Sequence, residues 1–246
     1  MCRPTALAVL YQIRGIGYVG PIYFFLHYVQ SPLENYHAAD NRLCQIRAVK
    51  TIIPTVTLSY ILPSIVMFVA PDLATRQWVN GLFWQPFPIY SAILQRVFGN
   101  FVKDTTQEDR IHNSRADMPY LRQAYGFAAA VSACAYLYVR FASPVSLREV
   151  FFSSLSSPTE YVSLRQSSAK ALRYDQIASF GAGAIWIMLS FGDLKRAGKL
   201  QAGWGRIVGV FAGTTLVGGP GAAMATMWAW REEALAERKE ASVEKK

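Results

Sequence analysis

Charge is scarce in this 246-residue chain: Asp, Glu, Lys and Arg make up 17% of it, against roughly a quarter in an average soluble domain. Histidine and cysteine are scarce too, at three each. Cys2, Cys44 and Cys134 show no metal-ligand spacing, which excludes both a disulfide framework and a zinc site. Gly-x-Ser-x-Gly and His-Glu-x-x-His are absent. There is no Asp-Asp-x-x-Asp cluster for magnesium on a diphosphate, and no glycine-rich phosphate loop with its Lys and Ser/Thr. A secretory leader is not expected either, because Arg3 and a short apolar run lead on without a small-residue cleavage site. The reading that follows has no cofactor and no metal.

What the chain does have is apolar residues, 52% of the total, with 6 Trp, 13 Tyr and 14 Phe. Uncharged windows recur at Gly15 to Leu33, Ile52 to Ala70, Gln77 to Gln95, Ala124 to Val139, Gln176 to Gly192 and Ile207 to Trp230. A helix crossing the hydrocarbon core needs about 20 largely apolar residues. The pattern predicts an all-α polytopic transmembrane bundle of about six spans over residues 1–230. A charged, solvent-exposed tail is expected over 231–246, where Glu alternates with Lys and Arg.

The net charge of +9 does not point to nucleic acid. Its Lys and Arg fall in loops between the apolar windows, as at Arg42, Arg47 and Lys50, where anionic headgroups attract them. Membrane lipid is therefore the expected partner. Pro54 and Pro63 predict a bent second span, and Trp84-Gln-Pro-Phe-Pro88 predicts a broken third one. Gly181 and Gly183, and Gly213 with Gly218, Gly219 and Gly221, predict close helix packing or a kink.

An ionisable group in or beside a membrane helix is a functional candidate. Glu34-Asn-Tyr-His37-Ala-Ala-Asp40 sets two carboxyls and an imidazole at helical spacing, either as an acid/base group or as a solvated, capped loop. Asp175 stands one residue before the fifth window, where it is either a helix cap or an acid. Trp228-Ala-Trp230-Arg231-Glu232-Glu233 ends the sixth window. Trp and Arg are common interface anchors, but Glu232 opposes the helix dipole at that end. Asp193 reads as a solvated loop residue paired with Lys195 or Arg196.

Several runs carry a family likeness: Gln30-Ser-Pro-Leu-Glu34, Ala39-Asp-Asn-Arg42, Trp84-Gln-Pro-Phe-Pro88, Arg115-Ala-Asp-Met-Pro119, Tyr174-Asp175, and Gly219-Pro-Gly221 through Glu233. From about Gly15 to Leu235 the chain resembles fungal integral-membrane proteins of meroterpenoid gene clusters, similar to the terpene cyclases of the ascochlorin and ascofuranone pathways. The resemblance implies proton-initiated cyclisation of an epoxidised farnesyl chain on an aromatic or polyketide core, without diphosphate or magnesium. It implies a lipophilic small-molecule substrate, a pathway epoxidase as partner, an endoplasmic-reticulum location, and further chain before the position of Gly15. On that reading Glu34, Asp175 and Glu232 are the acid/base candidates, and Tyr60, Trp84 and Trp228 are the aromatics facing the cation. The competing readings are a transporter or non-catalytic membrane protein, and a membrane double-bond isomerase.

Overall fold

The computed structural model describes residues 4–36, 44–103, 115–144, 146 and 164–236. Among these residues every regular element is a helix. In chain order they are α1 (Pro4–Arg14), α2 (Ile16–Val29), a 3₁₀ turn (Leu33–Tyr36), α3 (Ile46–Val56), α4 (Leu62–Val69), α5 (Leu73–Val79), α6 (Phe87–Asn100), α7 (Met118–Ala142), α8 (Leu164–Arg196) and α9 (Trp204–Ala236). Single π turns join α3 to α4 (Thr57–Ile61) and follow α5 (Asn80–Trp84).

Proline and glycine set the breaks. Pro54 and Pro63 flank the π turn between α3 and α4, so the expected bend takes the form of a widened helical turn. The expected break in the third window is a π turn ending at Trp84 and an irregular turn at Gln85 and Pro86. Gly15, at φ +88°, separates α1 from α2 at the start of the first window. That backbone is open to glycine and strained for most other residues.

Among the described residues three helical stretches have the length and composition to cross a membrane: Ile46–Val69, Ser167–Arg196 and Trp204–Ala236, the last of them folded back on itself. Of the six expected windows, two others differ for local reasons. α2 has only 14 residues, about 21 Å at 1.5 Å per residue. α7 has the length but carries Arg122 and Arg140 near its ends. Large apolar side chains face outward, among them Phe25 at 65%, Phe68 at 73% and Phe141 at 80% exposure, as suits a lipid-facing surface.

α9 reverses direction. Arg206 and Trp230 are 24 positions apart, which is about 36 Å along a straight helix, yet the guanidinium lies 5.9 Å from the indole ring. Ile207 and Met227 likewise share one buried cluster with Ile187 and Phe191. The turn is at Gly219 (φ +83°, ψ 167°), followed by Pro220. The sixth window is therefore a hairpin of two antiparallel arms, tighter than the expected kink. α7 packs along the second arm. Ser132 meets Gly221, Ala133 meets Gly218 and Tyr136 meets Gly219, while Arg140 donates to the Leu216 carbonyl at 3.0 Å.

The second arm also corrects the expected domain boundary. Arg231–Ala236 continues the helix, and Glu232, Ala234, Leu235 and Ala236 are buried, so this stretch belongs to the bundle and not to a solvated tail. Residues 237–246 lie outside the described residues.

Candidate functional site

α2 and α8 run side by side in the same direction, since Gly17 meets Asp175, Gly20 meets Ser179, and Gly183 lies by Phe24. Small residues permit this approach. A Cβ on Gly17 would come within 2.6 Å of the Asp175 Cα. Asp175 lies well inside α8 instead of at its start, so it cannot cap its own helix. Its Oδ1 accepts the Gly17 N–H at 2.6 Å and caps the first turn of α2.

At the other end of α2 the rings form a stack. Phe24 lies on Trp186 at 4.8 Å and 23° between planes, and Trp186 lies on Trp228 at 4.1 Å and 17°. His27 meets both indoles edge-on, at 5.1 and 5.8 Å. Arg231 closes the stack, its guanidinium 4.4 Å from the Trp228 ring centre and 5.5 Å from that of Tyr36. It donates to Glu232 at 2.7 Å and reaches the Tyr36 hydroxyl at 3.5 Å. Both members of the Arg231–Glu232 pair are about nine-tenths buried. A pair so enclosed is worth little to stability beyond its desolvation cost, whereas losing one member leaves the other charge stranded.

Glu34 shares the 3₁₀ turn with Tyr36, so it stands at this same end, with its side chain exposed. His37 and Asp40, the rest of the expected acid/base group, lie outside the described residues. Trp228 does face a cation, but a resident one: Trp186 covers one ring face and Arg231 the other. Tyr60 and Trp84 lie elsewhere, in a second ring group. Tyr60 is 4.8 Å from Phe87 and 6.3 Å from Trp84, and Phe87 is 6.2 Å from Tyr11. Trp84 donates to Ser64 at 3.1 Å, and its carbonyl accepts from Gln12 at 3.3 Å. Both π turns contribute to this group, at Tyr60 and Trp84.

The six expected site residues thus fall into two places. Glu34, Trp228 and Glu232 gather at the C-terminal end of α2. Tyr60 and Trp84 gather around Tyr11, one helical turn before Gly15, where Asp175 caps α2. Sequence reasoning passed over His27 and Trp186, single aromatic side chains in apolar windows and indistinguishable there from lipid-facing residues, and over Tyr36, which sits between Glu34 and His37 in the run already singled out. It also passed over Asp117, fully buried and accepting the Cys44 N–H at 3.0 Å. Asp193 does pair with Arg196 at 2.5 Å, but it is buried on α8, not solvated in a loop. Among the described residues no group of three His, Cys, Asp or Glu side chains could hold a metal.

Residues 1–236 match the CtvD domain family, and the chain belongs to it. It is 37% identical over 237 residues to the FAD-dependent monooxygenase BOA8 of Botryotinia fuckeliana (strain B05.10), a match covering 96% of this chain and 30% of that protein. It is 33% identical to the FAD-dependent monooxygenase verC1 of Penicillium polonicum, over 96% of this chain and 29% of the relative. The corresponding figures for the FAD-dependent monooxygenase anuJ of Penicillium roqueforti (strain FM164) are 32%, 92% and 28%. The chain therefore spans less than a third of the length of these relatives. No solved structure matches it.

Their names raise the question of flavin. Gly15-Ile-Gly17-Tyr-Val-Gly20 has the glycine spacing of a dinucleotide-binding turn, but such a turn leads from a strand into a helix and leaves its amides free for the pyrophosphate. Here it leads from helix α1 into α2, and the Asp175 carboxylate already takes the Gly17 amide. A second anion there would meet like charge. These glycines serve helix packing and do not fit FAD.

Proposed function

We propose that this CtvD-family chain is a membrane-embedded acid/base enzyme. On this reading it cyclises an epoxidised, prenylated metabolite of fungal secondary metabolism, in the endoplasmic-reticulum membrane. One observation carries it: Arg231 and Glu232 are buried beneath a stack of rings, next to the turn that holds Glu34. The names of the relatives add chemical context. A flavin monooxygenase inserts one oxygen atom, and on an alkene the product is an epoxide. A site that opens epoxides by proton transfer is a fitting consumer of that product.

Glu34 is the proton donor in this scheme. Being exposed, it can be recharged from water at the interface. Its proton passes to the epoxide oxygen, the C–O bond breaks toward the more substituted carbon, and an alkene π pair closes the ring. Glu232, already accepting a hydrogen bond from Arg231, takes the proton released from the final cation. Solvent returns the proton to Glu34, so atoms and charge balance and the product is an isomer of the substrate. Tyr60 and Trp84, expected to face the cation, lie in the ring group at the other end of α2 and take no part in this scheme. Asp175 has a structural part, as the cap of α2.

The test is conversion of an epoxyfarnesyl phenol by yeast microsomes carrying the chain. A new product of unchanged mass that disappears in Glu34→Gln and Glu232→Gln is the expected result. A product heavier by one water keeps the acid but refutes ring closure. No conversion, with folded protein present, refutes the reading.

A further inference from the structure

The Lys and Arg residues of the described chain are shared unevenly between the two ends of the bundle. The end that carries Glu34 and the ring stack holds eleven of them, and printed contacts tie that end together. Arg47 donates to Asn100 at 2.7 Å, which joins the start of α3 to the end of α6, where Arg96 and Lys103 stand. Lys50 lies 4.6 Å from the centre of the Tyr120 ring, at the start of α7. Arg115 and Arg122 pair with Glu233 near the end of α9, and Arg231 reaches Tyr36 beyond the end of α2. Arg196 reaches the Tyr28 hydroxyl, and Lys195 donates to Ala202 in the turn that leads through Lys199 to Arg206. The opposite end, at the start of α2 and the tip of the α9 hairpin, holds six. Arg14 precedes Gly15, and Arg165, Lys170 and Arg173 precede Asp175 on α8. Arg76 donates to the Ala70 carbonyl beyond α4, and Arg140 donates to Leu216.

The stretch Ile46–Val69 joins these two ends with 24 residues, about 36 Å of helix, against a hydrocarbon core of about 30 Å. Lys and Arg beside membrane spans are retained on the cytosolic side, where the leaflet is rich in anionic lipid, whereas Asp and Glu count little. From this asymmetry we infer that the chain sits in its membrane with the Glu34 end on the cytosolic side and the Asp175 end on the other. The inference rests on the membrane reading of the proposed function and adds the side from which the site is served. Glu34, exposed on that end, draws its proton from the cytosol.

Thiol labelling in sealed endoplasmic-reticulum microsomes, whose outer face is the cytosolic one, tests the assignment of sides. Gln201→Cys stands in the turn between α8 and α9, and Gln77→Cys stands on α5 at the far end; both positions are exposed. Cys2, Cys44 and Cys134 are replaced by Ser in both. A membrane-impermeant maleimide should label Gln201→Cys several-fold more than Gln77→Cys in sealed vesicles, each measured against its own labelling in SDS. Opening the vesicles should raise the Gln77→Cys signal and leave the other unchanged. The reverse order overturns the inference, as does equal labelling of the two positions in sealed vesicles. The unaltered chain gives a second reading: trypsin should cut after Lys199 in sealed vesicles and after Arg76 only in opened ones, and the opposite order again overturns the inference. Alkaline carbonate extraction separates this inference from the reading beneath it. A chain released by carbonate would sink the membrane reading itself, whereas a retained chain labelled in the reverse order sinks the assignment of sides alone.

Discussion

Gly17→Ala is the most informative single change, because two opposite effects meet there. In an exposed helix Ala is favoured over Gly by about 1 kcal/mol. At Gly17 the added Cβ would lie 2.5 Å from the Asp175 carbonyl oxygen and 2.6 Å from its Cα. Comfortable carbon–carbon contact is about 3.5–4.0 Å, so α2 and α8 must part by roughly 1 Å. The obstacle is backbone and cannot rotate away. Overpacking of this kind costs about 1–3 kcal/mol. Parting the helices also stretches the 2.6 Å bond from the Gly17 amide to Asp175, and bonds to charged groups are worth about 1.5–3 kcal/mol. The net expectation is a loss of roughly 2–5 kcal/mol. At about 2–4 °C per kcal/mol for a chain of this size, the melting temperature falls by roughly 5–20 °C. The assay is thermal unfolding of detergent-solubilised protein, followed by circular dichroism. Gly126→Ala on α7 is the control, since a Cβ there meets nothing within 4 Å, and it should raise stability by up to about 1 kcal/mol. If Gly17→Ala melts no lower than the unaltered protein while Gly126→Ala behaves as stated, α2 and α8 do not pack at this point.

Further expectations follow from other sites. Gly219→Ala puts a side chain at φ +83° and within 2.6 Å of the Tyr136 ring, so it should open the α9 hairpin. A short cross-linker between cysteines at Arg206 and Trp230 should then react poorly, against efficient linkage when Gly219 is kept. Asp175→Asn should lower the yield of folded protein yet spare turnover per folded molecule, whereas Glu34→Gln should abolish turnover in well-folded protein. Microsomal product measured per unit of monodisperse protein separates the two. Asp72 caps α5 by accepting the Thr75 N–H at 2.7 Å, and this bond holds its carboxyl below the usual range. A lowered carboxyl stabilises above its unfolded value and ceases to do so as pH falls through the folded one. Hydrogen exchange in Leu73–Val79 should therefore quicken in acid below the ordinary carboxylate range, and Asp72→Asn should remove most of that pH dependence.

The location of the helix breaks was legible in the sequence because their causes are local. Proline removes an amide hydrogen wherever it stands, so Pro54, Pro63 and Pro86 announced their turns. Apolar runs without charge announced membrane-compatible helices, but not how many of them cross. Hydropathy reads an apolar window the same way whether the chain crosses, stops at Gly15 or turns back at Gly219. The pairing of Asp193 with Arg196 was also legible, being a contact of neighbours on one helix. Burial of Asp193 was not, since it depends on what packs outside that helix.

Composition and the placement of Pro and Gly thus determined, unaided, that this is an all-helical chain with membrane-compatible segments and broken helices. Only the tertiary structure decided which residues meet. Asp175 and Gly17 lie 158 positions apart in sequence, and Arg231 and Tyr36 lie 195 apart. No periodicity encodes those distances. They arise from α2 lying against α8 and from α9 folding back on itself, and such packing is set by the summed shape of many side chains. That is why Glu34 and Glu232 could be named from the sequence, while their common end and the ring stack beside them became visible only in the fold.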